Sequence, residues 1–381
     1  MSGFGYTYGY LSLIDPISFI IGILLSVALL SLYNKKNTLT IAQMLSTDDI
    51  RTKILLAVIS LITYVLISAA QFIALSKLLS QYFSDVPPNF VLITSTLIIA
   101  SYVIYGGFNA ITNTDILQFI IILVFLATPI YVFHFNHVYE NTISETIPNH
   151  SIMPFDIAFI LILPIFFVPI SQDINTRVKS ASTINQAKIG LFFSSIFYFL
   201  IIFSCISVGI YIKNQNIQIS DPEQVLPYFF KNLLSDYTIF PTIAALSAIW
   251  SSLVSYFINS ITSFTQDIIP NLNKRKYLLK NKYAITFNGI FIYLIIIIIC
   301  LFFKSIFSLI SIAVVLYSSV LFSALLLNNT KNQFFYILLI FAIFLAMQYF
   351  FYDSKYKNIY CFSIGPIISI AIYVTNKIKL I

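Results

Sequence analysis

Long apolar runs separated by short polar connectors fill the chain. Bounded by charge, Pro or Asn, they fall at Pro16–Tyr33, Ile54–Tyr82, Phe90–Tyr105, Ile116–Phe133, Phe155–Ile170 and Ile189–Ile212, and continue at Ile239–Thr265, Ala284–Phe303, Ser305–Leu327, Phe334–Phe351 and Ile359–Val374. An α-helix rises about 1.5 Å per residue, so about 20 apolar residues cross the hydrocarbon layer. Most runs comply, and two or three are short enough to be broken or locally unwound. A transmembrane β-barrel is excluded, because its strands alternate over about ten residues instead of staying apolar for about twenty. The pattern predicts an all-α integral membrane protein of about 11 complete spans, with a partial helix ahead of the first.

Composition agrees with that solvent. Hydrophobic residues make up 59% of the 381 and charged residues 9%, whereas about a quarter of a soluble domain is charged. Such helices pack on one another as one bundle, so a single domain is expected. The net charge of +7 does not point to nucleic acid, since the basic residues sit in the connectors. Those at Lys35–Lys53, Arg177–Lys188, Lys274–Lys282, Lys331 and Lys377–Lys379 hold most of the 21 lysines and arginines. The positive-inside rule then places these connectors and the C-terminus in the cytoplasm. The two longest connectors on the other side, His134–Pro154 and Lys213–Asp236, are polar and acidic and are candidate partial lids. Met1–Leu13 has neither a basic start nor a small-residue cleavage site and does not read as a signal peptide. A bias toward Ile, Asn, Lys, Phe and Tyr suggests an AT-rich bacterial coding sequence, and so a bacterial inner membrane. Cys205, Cys300 and Cys361 all lie in apolar runs, which supports neither a disulfide framework nor a zinc site.

Polar groups at membrane depth are costly, so their placement carries the functional signal. In Ala244–Asp267, Ala248, Ser251 and Ser252 share one helical face at i, i+3 and i+4, and Ser255, Asn259 and Ser263 extend it toward Asp267. Hydroxyls and carbonyls in such a stripe are hard oxygen ligands suited to Na⁺; they also suit close helix packing, and both readings stand. Pro164 and Pro169 make an unbroken helix unfavourable across Phe155–Ile170, as a kink or as the kind of break that exposes backbone in transporters. Ser171 and Gln172 follow directly, and Gln172 can both donate to and accept from a solute. Tyr105-Gly106-Gly107-Phe108-Asn109-Ala110 leads to Thr114-Asp115-Ile116-Leu117-Gln118, a tight turn and a helix start in which Asp115 either caps or relays an ion. His134 and His137 are spaced for a metal but lack a third ligand. No Gly-rich phosphate loop, HExxH or GxSxG elbow occurs, so neither an enzyme nor ATP coupling is visible.

In order, these segments resemble the sodium:solute symporter family of sodium/sugar, sodium/proline and pantothenate cotransporters, from about Met1 to Asp267. The family's Gly-Gly turn before Thr-Asp-x-x-Gln matches Gly106-Gly107 and Thr114–Gln118. Its Gln followed five residues later by Arg matches Gln172 and Arg177. Its Ala-Ala-Ile-x-Ser-Ser helix ending in Asp matches Leu246–Ser252 through Asn259 to Asp267, and Thr40–Leu45 resembles its Thr-x-Pro-Glu-x-Leu. The resemblance implies a leucine-transporter-like inverted-repeat bundle. Residues 1–133 would form a truncated repeat one, 155–327 repeat two, and 334–377 two additional helices. It implies sodium at the Ala248 carbonyl and the Ser251 and Ser252 hydroxyls, a small polar solute near Ser171 and Gln172, and an inner ion path along Asp115, Ser255 and Asn259. No cofactor beyond the coupling Na⁺ is implied. Met1–Gly9 looks like the middle of the family's first core helix, so the half preceding it is expected to be missing. Trp250 stands where a small aliphatic residue is usual, and Ser46-Thr47-Asp48-Asp49 replaces an expected Arg. The expected activity is sodium-coupled symport by alternating access. The alternatives are a non-transporting remnant or a membrane sensor or interaction module on the same scaffold.

Overall fold

The computed structural model describes residues 1–30, 38–46, 49–83, 85–123, 153–233, 239–272, 282–328, 330, 332–351, 354 and 356–378, with backbone alone at 107–113, 233, 272, 282–285 and 376–378. His134 and His137, most of the His134–Pro154 connector and several basic connectors lie outside the described residues. Among the described residues nine helices are long and apolar enough to cross a membrane, and shorter apolar helices occupy Thr114–Leu123 and Thr286–Phe302. Each of the eleven apolar runs therefore holds helix among the described residues.

The first helices are α1 (Ser2–Tyr8) and α2 (Ile14–Ala28), joined by a 3-10 turn at Gly9–Leu13. The partial first helix is thus continuous with the first run, and together they make one span, Ser2–Ala28. A short α3 (Ile41–Leu45) precedes α4 (Ile50–Ser80), whose 31 residues give it about 46 Å of rise. Next, α5 (Pro88–Leu123) is helical throughout, yet Tyr102 Oη lies 2.7 Å from Thr114 Oγ1. On a straight helix those residues would be about 18 Å apart along the axis. The path must bend back sharply between them, where Gly106 and Gly107 were expected to turn it.

The run with two prolines is divided into α6 (Phe155–Ile162), α7 (Pro164–Phe167) and a 3-10 turn at Val168–Ile170. Ser171 is extended, and α8 (Gln172–Ser180) resumes the helix with Ser171 as its N-cap. The chain continues through α9 (Ile184–Asn214), a 3-10 turn at Pro222–Gln224, α10 (Val225–Leu233) and α11 (Ile239–Thr262). A π-turn at Ser263–Ile268 and α12 (Ile269–Leu272) end that span. The remaining helices are α13 (Lys282–Phe302), α14 (Ile306–Leu326), α15 (Gln333–Phe350) and α16 (Lys357–Ile378).

The distribution of polarity fits a bilayer. Ile189, Phe192, Phe193 and Ile196 of α9 and Leu294, Ile298 and Phe302 of α13 are exposed, while Ser60, Thr63, Asn259 and Asp267 are buried. Helix contacts depend on small groups. A Cβ at Gly209 of α9 would overlap the Ser2 carbonyl and the Tyr6 amide of α1, so these backbones touch only because no side chain intervenes. In α16, Pro366 lacks the N–H that the Phe362 carbonyl would accept from. Ser319 Oγ of α14 donates to that carbonyl at 3.2 Å and to the Cys361 carbonyl at 3.1 Å. A Cβ at Gly365 would strike the Ser319 oxygens, so this approach also needs glycine.

Candidate cation and solute site

α11 carries its hydroxyls where the spacing puts them. Ala248, Ser251 and Ser252 are half-buried, and Ser255, Asn259, Ser263 and Asp267 are buried below them. Ser251 faces the bundle, with its Oγ donating to Asp115 Oδ1 of α5 at 2.9 Å. One turn on, Ser255 Oγ accepts from Arg177 Nη2 of α8 at 3.3 Å, and Arg177 Nε donates to Asp173 Oδ2 at 3.1 Å. Three helices distant in sequence thus converge on one polar column. The Ser251 hydroxyl and the Asp115 carboxylate are hard oxygen groups of the kind that suits a monovalent cation. The Asn259 amide nitrogen is buried without a partner further along the column. Beside the column, the Trp250 ring meets Tyr102 edge to face at 6.4 Å.

Ser171 and Gln172 sit at the helix break, but their polar atoms are occupied. Ser171 Oγ accepts from Ile174 N at 3.3 Å and donates to the Val168 carbonyl at 3.0 Å, an ordinary helix cap. Gln172 Oε1 accepts from Ile41 N at 2.7 Å, and its Nε2 donates to the Leu39 carbonyl at 3.2 Å. Gln172 therefore grips residues 38–45, a strap across one end of the bundle.

The strap has further anchors. Asn175 Nδ2 donates to the Leu39 carbonyl at 3.1 Å, and Lys179 Nζ reaches both the carbonyl and the hydroxyl of Thr38. Gln43 Nε2 donates to Asp267 Oδ1 at 2.6 Å, and Lys53 lies 3.9 Å from the same oxygen. Gln333 Nε2 of α15 holds the Leu45 carbonyl at 2.8 Å. At the opposite end, Lys77 of α4 is paired with Asp221 at 3.1 Å and Glu223 at 2.5 Å, and Glu223 Oε1 also accepts from Phe307 N of α14 at 3.0 Å.

Sequence reasoning missed two tyrosines at the break. Tyr64 Oη of α4 accepts from Gln172 N at 2.6 Å, and Tyr317 Oη of α14 donates to the Ile170 carbonyl at 2.7 Å. The one available signal was that a phenol inside an apolar run needs a partner for its hydroxyl.

Comparison with known proteins gives one consistent result. A sequence profile described as the sodium:solute symporter family matches residues 1–349. No curated protein sequence matches. Among solved structures, a Na⁺-coupled sialic acid symporter, captured substrate-bound and outward-open, superposes with a TM-score of 0.65 at 17% identity, over 97% of this chain and 88% of that one.

Proposed function

Since the chain belongs to the sodium:solute symporter family, we propose that it couples uptake of a small polar solute to sodium by alternating access. The observation that carries this is the Ser251–Asp115 contact across α11 and α5. It places a carboxylate beside the hydroxyl stripe, where the carboxylate can neutralise a desolvated Na⁺. Asp115 and the Ser251 and Ser252 hydroxyls, with the Ala248 carbonyl, are the ligands we assign. When sodium arrives, the Ser251 hydrogen turns off the carboxylate and its lone pair faces the ion. Ser255 and Asn259 continue the path, with the Arg177 guanidinium standing in it at Ser255.

The proposed cycle has the two ends opening in turn. We place the strap end in the cytoplasm, because the connectors beside α3 and α8 belong to the lysine- and arginine-rich set. The solute is assigned to the space beside the helix break. Gln172, whose amide is engaged, becomes available to a solute only as the strap moves. The two repeats would be residues 1–133 and 155–327, with α15 and α16 outside them. Reciprocity of binding requires that solute tighten sodium as sodium tightens solute.

Uptake of a panel of radiolabelled polar solutes into proteoliposomes, with inward sodium or inward choline gradients, tests this reading. Sodium-dependent accumulation that Asp115→Asn lowers at least tenfold is expected. Accumulation indifferent to sodium, or unaffected by Asp115→Asn, would overturn it.

A further inference from the structure

The helix break at Ser171 frees two backbone groups that an unbroken helix would use itself, the Gln172 N–H and the Ile170 carbonyl. In a bilayer such groups need other partners. Both find them in a closed chain of tyrosine hydroxyls. Gln172 N donates to Tyr64 Oη at 2.6 Å, Tyr64 Oη donates to Tyr317 Oη at 3.2 Å, and Tyr317 Oη donates to the Ile170 carbonyl at 2.7 Å. Both hydroxyl hydrogens are donated within the chain, so neither is left over. Both tyrosines are fully buried. Tyr256 of α11 stacks on the Tyr64 ring at 6.1 Å, and Phe167 lies 5.0 Å from the Tyr317 ring.

The same residue that starts this chain also grips the strap. The Gln172 backbone N–H is committed to Tyr64, while its side chain holds Leu39 and Ile41. Asn175, one turn on, holds Leu39 as well. If α8 moves away from α4 and α14, the tyrosine chain breaks and the strap loses its clasp in the same motion. The tyrosines act on the strap through Gln172, whose N–H meets Tyr64 and whose side chain meets Leu39 and Ile41.

We propose that Tyr64 and Tyr317 are positioning residues for transport, whose hydroxyl relay fills the helix break while the strap end is shut and must part before that end opens. The relay holds the place of whatever takes the freed backbone groups in the open state. This extends the transport reading by naming the contacts that keep α8 against the strap, but its test needs neither sodium nor a solute.

The test reads access to the strap from its own side. Ile41→Cys places a thiol at a fully buried strap position whose side chain makes no hydrogen bond, and Leu78→Cys places one at the buried far end of α4. Each is combined with Tyr64→Phe, Tyr317→Phe or both in the full chain, in vesicles of either orientation, and reacted with a membrane-impermeant maleimide. Labelling of the three native cysteines in the parent is subtracted. Either phenylalanine variant is expected to raise the labelling rate at position 41 about tenfold and leave that at position 78 unchanged. The double variant should match the single ones, because a chain cut at one link is already open. Unchanged labelling at position 41 would overturn the relay. So would an equal rise at both positions, which would mean general loosening, or single effects that multiply. Either single variant carries the test alone if the other does not reach the membrane.

Discussion

At the scale of single residues, the chemistry rests on who faces whom across helices. The hydroxyl stripe of α11 was legible from spacing alone, since i, i+3 and i+4 positions share a face whatever surrounds them. Its partners were not, because Asp115 and Arg177 arrive from helices more than 70 residues away in sequence, and nothing local encodes their approach. Gln172 shows the same limit in reverse. Its polarity beside an apolar wall was visible, but its engagement with the backbone of Leu39 and Ile41 depends on a tertiary contact. Two hydroxyl residues of similar size separate the proposed ion ligand Ser252 from Thr176, which bonds within its own helix. Ser252→Ala should raise the sodium concentration for half-maximal uptake at least fivefold. Thr176→Ala, which removes a hydroxyl bonded to its own helix at the Gln172 carbonyl, should change it less than twofold. Sodium titrations of uptake in the two variants measure this directly.

At the scale of elements, apolar length and prolines fixed most of what was readable. Among the described residues every run holds helix, because a helix satisfies its own backbone in lipid, and Pro164 and Pro169 divided the run that contains them. The union of α1 with α2 could not be read, since it depends on how closely both lie along α9. That closeness gives a test within one helix. Gly190 and Gly209 both sit in α9, but a Cβ at Gly190 meets nothing within 4 Å, while one at Gly209 collides with the α1 backbone. Gly190→Ala should stabilise by up to about 1 kcal/mol through helix propensity, and Gly209→Ala should destabilise by about 1–3 kcal/mol through overpacking. Thermal unfolding in detergent, followed by circular dichroism, should move in opposite directions for the two. Ser319→Ala leaves the Phe362 carbonyl beside Pro366 without its donor, and should cost about 1 kcal/mol in the same assay.

At the scale of the whole molecule, both ends of the bundle are bound across by polar contacts, with Lys77, Asp221 and Glu223 at one and the strap at the other. A ligand that binds the folded bundle and not the unfolded chain stabilises it by mass action. Sodium chloride should therefore raise the unfolding midpoint in detergent above that in equal choline chloride, by about 2.7 kcal/mol of added stability at a hundredfold excess over the dissociation constant. Asp115→Asn should remove that difference. The Ser319 hydroxyl, shared between two carbonyls of α16, has a wider consequence. It fastens α14 to a helix lying outside the proposed repeats, so α14 is anchored against sliding. Tyr317 rides on that anchored helix, two residues from Ser319, and so offers α8 a stationary post to close against and to depart from.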